Sequence, residues 1–202
     1  MKYKNKLSLY YWLRKIYTNK YFQFLSPNKS KLKKKIFTSI YKSNHWVQSS
    51  DYSKYNSISV SGHGSNTNTE QYFELVKNMT KLINKFRIKS ILDIPCGDFL
   101  WIKKIILENN ISYLGIDIVE ELINKNILYY KSKNINFKCA DILDYKTDKY
   151  YDLLLIRDLF LHIKNEDIIT ILNNIKSMNI KYIALNSYTN DFNKDVLIGQ
   201  HR

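Results

Sequence analysis

The stretch Ser90-Ile91-Leu92-Asp93-Ile94-Pro95-Cys96-Gly97-Asp98-Phe99 decides the fold. A short apolar run stops at an acid, turns tightly through Pro and Gly, and opens into a helical pattern. A second apolar run, 111–116, then delivers another acid, Asp117, twenty residues after Gly97. A strand end with a glycine turn, followed about 20 residues on by a ribose-binding acid, marks a nucleoside site in a doubly wound sheet. A dinucleotide site would need several glycines and a helix N-terminus open to a pyrophosphate. Here a single glycine, Gly97, is followed at once by Asp98, a carboxylate where a phosphate would sit.

Phe137-Lys138-Cys139-Ala140-Asp141 is a third apolar run ending in an acid. Asp93, Asp98, Asp117 and Asp141 are therefore expected to converge on one half of the sheet's carboxyl edge. Four acids without a phosphate cradle suit a cationic ligand that lacks phosphates. S-adenosyl-L-methionine, with adenine, a ribose diol, an amine and a sulfonium, meets that description.

These residues resemble a known family, the class I S-adenosylmethionine-dependent methyltransferases. The segment Asp93-Ile94-Pro95-Cys96-Gly97-Asp98 is similar to the family's first motif, Gly115-Ile116-Asp117 to the second, and Ala140-Asp141-Ile142 to the third. The run from Tyr151 through Leu155 to Asp158 resembles the fourth. All four stand in order across roughly residues 85 to 190, with Asp98 departing from the family's second glycine. The resemblance implies an α/β, three-layer, Rossmann-like, doubly wound and mainly parallel sheet that binds S-adenosyl-L-methionine. It implies Asp117 on the ribose hydroxyls, Asp141 near the adenine amine and Gly97 close to the methionine part. Asp93 would order the loop or reach the amine through water, and Pro95, Cys96, Asp98, Ile118 and Ile142 complete the cofactor set. The family's fold continues past strand five into a helix and a reversed strand pair, for which 191–202 are too few. The last strands are thus expected to be lacking, with a bare edge beside strand five unless the N-terminal extension covers it.

Periodicity places the elements. Thr67 and Glu70 read as a capping box for a helix whose apolar positions are Tyr72, Leu75, Val76, Met79, Leu82, Ile83 and Phe86. Strands are expected at 90–94, 112–116, 135–140, 152–156 and 182–186, and helices at 99–107, 120–130 and 166–178. The last of these helices should bury Ile168, Ile169, Ile171, Leu172 and Ile175. Strand order reverses between strands one and four, so the ligand crevice opens there. The acceptor must meet the methyl group above strand four, which makes Arg157, Asp158 and His162 the catalytic candidates. Asp158 and His162 are four apart and share a face if that segment is a helical turn. Methyl transfer is an in-line displacement that depends mostly on alignment, and an oxygen or nitrogen nucleophile needs a base to take its proton. Histidine is the residue type suited to that role; Asp158 would orient it or a sugar hydroxyl, and Arg157 or Asp158 could equally contact the acceptor directly.

His63, inside Ser61-Gly62-His63-Gly64-Ser65, belongs to a lid, a close backbone approach or an ordinary turn. Tyr188, just after strand five, lines the pocket or simply packs. The Ser61–Ser65 segment, the 93–101 segment and Ile156-Arg157-Asp158-Leu159 together resemble a methyltransferase subgroup found beside glycan-building enzymes. That implies O-methylation of a sugar hydroxyl on a glycan or small-molecule acceptor. Two other readings stay open: an RNA methyltransferase with a basic arm, and a catalytically inactive cofactor-binding remnant. The near-neutral core and the absence of a proline-aromatic amine-methylation tetrapeptide after strand four weigh against nucleic acid.

The chain is 202 residues, one domain (51–202) plus an extension (1–50). Cys96 and Cys139 read as reduced, and no His/Cys cluster has metal-ligand spacing, so no metal is expected. No apolar run approaches the ~20 residues of a membrane span, and a reducing, cytoplasmic setting is expected. Residues 1–50 hold 12 of the 32 Lys and Arg and no acid; 51–202 carry 20 basic and 18 acidic residues, a net of +2. Within the extension, 7–17 mixes aromatics with cations. It could lie on an anionic membrane surface, grip RNA phosphates, or pack its aromatics on the domain with its lysines in water. The four lysines of 31–35 read as a solvated stretch.

Overall fold

The apolar runs 90–93, 112–117 and 151–156 are too continuous for a sheet with one wet face, and they condense into parallel strands covered on both sides. The computed structural model describes residues 2–20, 23, 29–47, 59–67, 69–186 and 195–200. In chain order these form α1 (Lys2–Tyr17), α2 (Lys29–Lys42), a single 3-10 turn (His63–Ser65), α3 (Glu70–Phe86), β1 (Ser90–Asp93), α4 (Leu100–Glu108), β2 (Ser112–Asp117), α5 (Glu120–Tyr130), β3 (Ile135–Cys139), β4 (Tyr151–Ile156), α6 (Asn165–Ile175) and β5 (Ile180–Leu185). The sheet order is β3-β2-β1-β4-β5, every pairing parallel. This is the class I Rossmann-like arrangement, with the reversal between β1 and β4 as the spacing required.

Successive strand residues point to opposite faces, and the core divides accordingly. Leu92, Leu154 and Ile156 join Ile171 and Ile175 of α6 on one face. Ile91, Leu153 and Leu155 join Met79 and Ile83 of α3 and Ile102, Ile105 and Ile106 of α4 on the other.

Several expectations need correction. The N-cap of α3 is Thr69, whose Oγ1 accepts the Tyr72 N–H at 3.0 Å, so no capping box forms between Thr67 and Glu70. β4 begins one residue early at Tyr151, β5 runs 180–185 rather than 182–186, and α6 ends at Ile175. Ile169 is 60% and Leu172 39% exposed. With Met178, Ile180 and Ile183 they line an apolar groove beside β5, which is the sheet's edge among the described residues.

Among the described residues the extension does not cover that edge. Instead α2 lies across the carboxyl ends of β1 to β4, with Leu32, Ile36, Phe37 and Ile40 built into the core beside Ile94, Ile116, Ile156 and Ile163. The lysine run is solvated only in part: Lys31 and Lys35 are exposed, but Lys33 and Lys34 are held by acids. Lys33 is buried within 3.9 Å of Asp141 and 3.4 Å of Asp167, Lys34 binds Glu120 at 2.7 Å, and Lys42 pairs with Glu121. Gly199 seats against Ile36 and Ile40, where a side chain would not fit. Its N–H bonds the His162 carbonyl at 2.8 Å, so segment 195–200 returns to the same helix.

Truncating Ile36 to Ala should therefore cost about 2–5 kcal/mol, whereas Trp12→Ala, at an exposed site, should stay within about 0.5 kcal/mol. Urea denaturation midpoints read both, and an unaffected Ile36 variant would show that α2 is not part of the core.

Candidate active site

The turn after β1 is held from both sides. Ile94 N–H bonds Leu155 O at 2.9 Å and Cys96 N–H bonds Ile116 O at 2.8 Å, extending the sheet pairing past Asp93. Gly97 then adopts φ +54, and a Cβ there would collide with the Ser61 hydroxyl, so glycine is required. Its N–H donates to Asp117 Oδ2 at 3.1 Å and its carbonyl accepts from Asn126 Nδ2 at 2.8 Å. Asp117 Oδ1 accepts the Val119 N–H at 2.9 Å. Burial pushes the Asp117 carboxyl up to about 6, with the backbone bonds opposing. Burial likewise pushes Asp93 up to about 7 against the 2.6 Å bond from Tyr113 Oη, and its Oδ1 is buried without a hydrogen-bond partner.

Asp98 departs from expectation. Its Oδ2 accepts from Ser59 Oγ (2.8 Å) and Val60 N–H (2.9 Å), while its own N–H donates to Ser61 Oγ at 3.1 Å. The carboxylate faces segment 59–61 and does not line the cleft. The four acids thus do not all converge: Asp117 and Asp141 reach the ligand space, while Asp93 and Asp98 brace the turn behind it.

An apolar slot lies against Pro95, Ile118, Ala140 and Ile142, roofed by Phe37 and Lys33 of α2. Asp141 Oδ1 accepts the Leu143 N–H at 3.0 Å; Oδ2 is buried without a hydrogen-bond partner, and burial raises this carboxyl too. Buried polar atoms are nearly always bonded, so an orphan acceptor beside an apolar slot fits the amine edge of an adenine. Past Cys96 and Gly97 the slot widens into a cleft of about 420 Å³, walled by Tyr41, Trp46, Trp101, Arg157, Asp158 and His162.

At the end of β4 the chain does not make the helical turn that the spacing of Asp158 and His162 invited. Asp158 sits at φ +59 in an irregular segment, although both residues line the cleft. Asn186 clamps Asp158, accepting its N–H at 2.8 Å and donating to its Oδ1 at 2.5 Å. Arg157 donates to Ser65 Oγ (2.9 Å) and Gly64 O (2.8 Å), and its guanidinium lies 4.9 Å from the Trp101 ring centroid. The Gly-flanked segment is therefore pinned over the cleft. His162 Nδ1 lies 3.0 Å from Gln200 O, and Trp46 stacks on the ring at 5.1 Å. A carbonyl can only accept, so Nδ1 carries the proton and Nε2 is the basic nitrogen of the neutral ring.

His63 contributes backbone to the 3-10 turn, and Tyr188 lies outside the described residues. Sequence reasoning missed Lys33, Tyr41, Trp46, Trp101 and Asn186. Tyr41, buried near Asp117, has its phenol held well above its usual range by burial. Cys96 and Cys139 are free thiols. No cluster of metal-ligating side chains occurs among the described residues, and none of their helices is long and apolar enough to cross a membrane.

Residues 91–179 match the family model described as a methyltransferase domain. A search of curated proteins returned no match. Among solved structures the chain is similar to a protein of Pyrococcus horikoshii (20% identity, 58% of this chain and 59% of that one, TM-score 0.48). It is also similar to an S-adenosylmethionine-dependent methyltransferase of Clostridium acetobutylicum (15%, 58% and 51%, 0.48). A third is a methyltransferase of Archaeoglobus fulgidus, also dependent on that cofactor (25%, 55% and 51%, 0.43). The chain spans little more than half the length of these structures.

Below about pH 7 native Asp93 holds a proton that the unfolded chain, at an ordinary carboxylate value of 3.8, has already released. Its contribution to stability is full below pH 4 and is lost as the pH rises to about 7, by at most about 1.4 kcal/mol per pH unit. The stability difference between wild type and Asp93→Asn, from urea titrations across that range, should fall with pH. A flat difference would mean that Asp93 is ionised throughout.

Proposed function

We propose that the chain is an S-adenosylmethionine-dependent methyltransferase that methylates an acceptor hydroxyl, on a sugar or glycan. The observation that carries the cofactor half is Asp141 Oδ2, buried without a hydrogen bond beside an apolar slot although Lys33 Nζ lies 3.9 Å away, with Asp117 between that slot and the open cleft. The cofactor, when bound, supplies a methyl group on a sulfonium. The chain's own residues then bind and orient. Asp141 accepts from the adenine amine, Asp117 from the ribose hydroxyls, and Gly97 allows the methionine part close to the backbone. Burial that raises the Asp117 carboxyl is offset by a cationic ligand, because an opposite charge nearby favours the ionised form.

The acceptor half rests on the types of group that share the cleft. Trp46, half-buried in the cleft wall, offers an apolar ring to a sugar, and Asp158, clamped by Asn186, offers an acceptor for a neighbouring hydroxyl. His162 takes the proton of the attacking hydroxyl at Nε2 while its Nδ1–H bond to Gln200 fixes the ring. Arg157, with its donors on Ser65 and Gly64, acts as a positioning residue for the segment that closes the cleft.

Asp117→Ala should weaken S-adenosyl-L-methionine binding by about 1.5–3 kcal/mol, roughly ten- to hundredfold, as expected for hydrogen bonds to a charged group. Isothermal calorimetry reads this directly, and unchanged affinity would remove the nucleoside site. His162→Ala should lower kcat about 10²- to 10⁴-fold with cofactor affinity intact. It is assayed by transfer of labelled methyl to a panel of mono- and oligosaccharides, with RNA as competing acceptor. Label on RNA alone, or on no member of the panel, would contradict the sugar-hydroxyl assignment.

A further inference from the structure

The basic extension divides into two helices that use their charges differently. In α2, Lys29, Lys33, Lys34 and Lys42 are all paired with acids of the domain: Glu166, Asp141 and Asp167, Glu120, and Glu121. In and just after α1 the ion pairs among the described residues include neither Arg14, Lys15 nor Lys20. The nearest aromatic partners are on the same helix, Lys15 lying 4.9 Å from the Tyr11 ring centroid and 5.3 Å from that of Trp12. Of the aromatics of α1, Tyr17 packs against the core, whereas Tyr11 and Trp12 do not pack on the domain in the way one reading of the sequence had it. Leu9 is 56%, Trp12 58% and Ile16 48% exposed, with Tyr11 at 43%.

Positions 9, 12 and 16 are three and four apart and form one stripe. The half-buried Leu13 and Tyr17 lie on a neighbouring face, with Lys35 of α2 against the Tyr17 ring. Single exposed apolar residues are ordinary. Four within two turns, beside unpaired cations and in a 50-residue segment without a single acid, are not. Trp at a polar–apolar boundary, aliphatics beside it and Lys/Arg flanking suit a helix lying in the headgroup region of an anionic bilayer.

We propose that α1 is a membrane-surface anchor: Leu9, Trp12 and Ile16 enter the acyl boundary of an anionic leaflet while the exposed Lys15 and Lys20 meet its headgroups. RNA phosphates would satisfy the cations but would leave Leu9 and Ile16 in water, so the apolar stripe favours lipid.

The full chain is tested by co-sedimentation with vesicles of phosphatidylcholine alone and with one-third phosphatidylserine. Binding to the anionic vesicles and not to the neutral ones is expected, weakened about fivefold for Lys15→Gln and further by salt. Trp12→Glu should reduce binding at least tenfold, and wild-type Trp fluorescence should shift to the blue on binding. Both substitutions at exposed sites should leave the melting temperature and S-adenosyl-L-methionine affinity unchanged, so this result is independent of the methyltransferase reading. No binding to anionic vesicles, or binding that Trp12→Glu leaves intact, would overturn the proposal. So would salt-sensitive binding to single-stranded RNA that survives Trp12→Glu while the vesicles bind nothing.

Discussion

The site depends on one carboxylate. Asp117 accepts the Gly97 N–H on one oxygen and the Val119 N–H on the other, linking the turn after β1 to the turn after β2. Both donors come from backbone just beyond the paired strands, where no ladder partner exists. Without Asp117 the buried Gly97 N–H would be orphaned, at a cost of about 1–3 kcal/mol. The demand propagates: with Gly97 locked at φ +54, Asn126 of α5 must cover its carbonyl and Ser61 must fill the space above it. A carboxylate that holds a turn and also faces the ligand cleft keeps its oxygens in place before any ligand arrives, which is the preorganisation a nucleoside site needs.

A second constraint follows from charge. Asp141 and Asp167 stand close enough to α2 that Lys33 lies within 4 Å of both. Removing one partner of a buried ionic cluster is costly because the remaining charge is stranded. The roof over the apolar slot is therefore coupled to the acids beneath it. Segment 195–200, seated on α2 at Gly199 and on His162 through Gln200, couples the same helix to the side of the cleft that holds Asp158 and His162. One helix from the extension thereby touches both halves of the site.

What the sequence made legible was whatever follows from local period and spacing. The strand runs, the turn at Gly97 and the acid twenty residues later are set by backbone geometry repeating every few residues, and the sheet order came out accordingly. What it hid were contacts between distant segments. Lys31 to Lys35 looks like a solvated run because nothing nearby reveals that Asp141 and Asp167, more than a hundred residues on, will meet Lys33. Asp98 looks like a pocket acid until the backbone of 59–61 arrives to bond it. Trp46 and Asn186 carry no periodic signal, since each works from a segment end where spacing says nothing. Asp158 and His162 do line the same cleft, but an irregular loop brings them there, not the helical turn their spacing suggested.

The same helix connects the two surfaces discussed above. α1 rests on α2, and Phe37 and Tyr41 of α2 line the cleft. A force on α1 is thus transmitted to the cleft by a helix whose apolar face is in the core and whose lysines are tied to acids of α5, of α6 and of the turn after β3. Such a connection is stiff: close-packed interiors transmit strain and do not absorb it. Holding α1 at an interface would then fix the distance and tilt of the whole cleft relative to that interface. An acceptor held at the same interface would meet Asp158 and His162 at a set height, and alignment is the quantity on which in-line methyl transfer depends most.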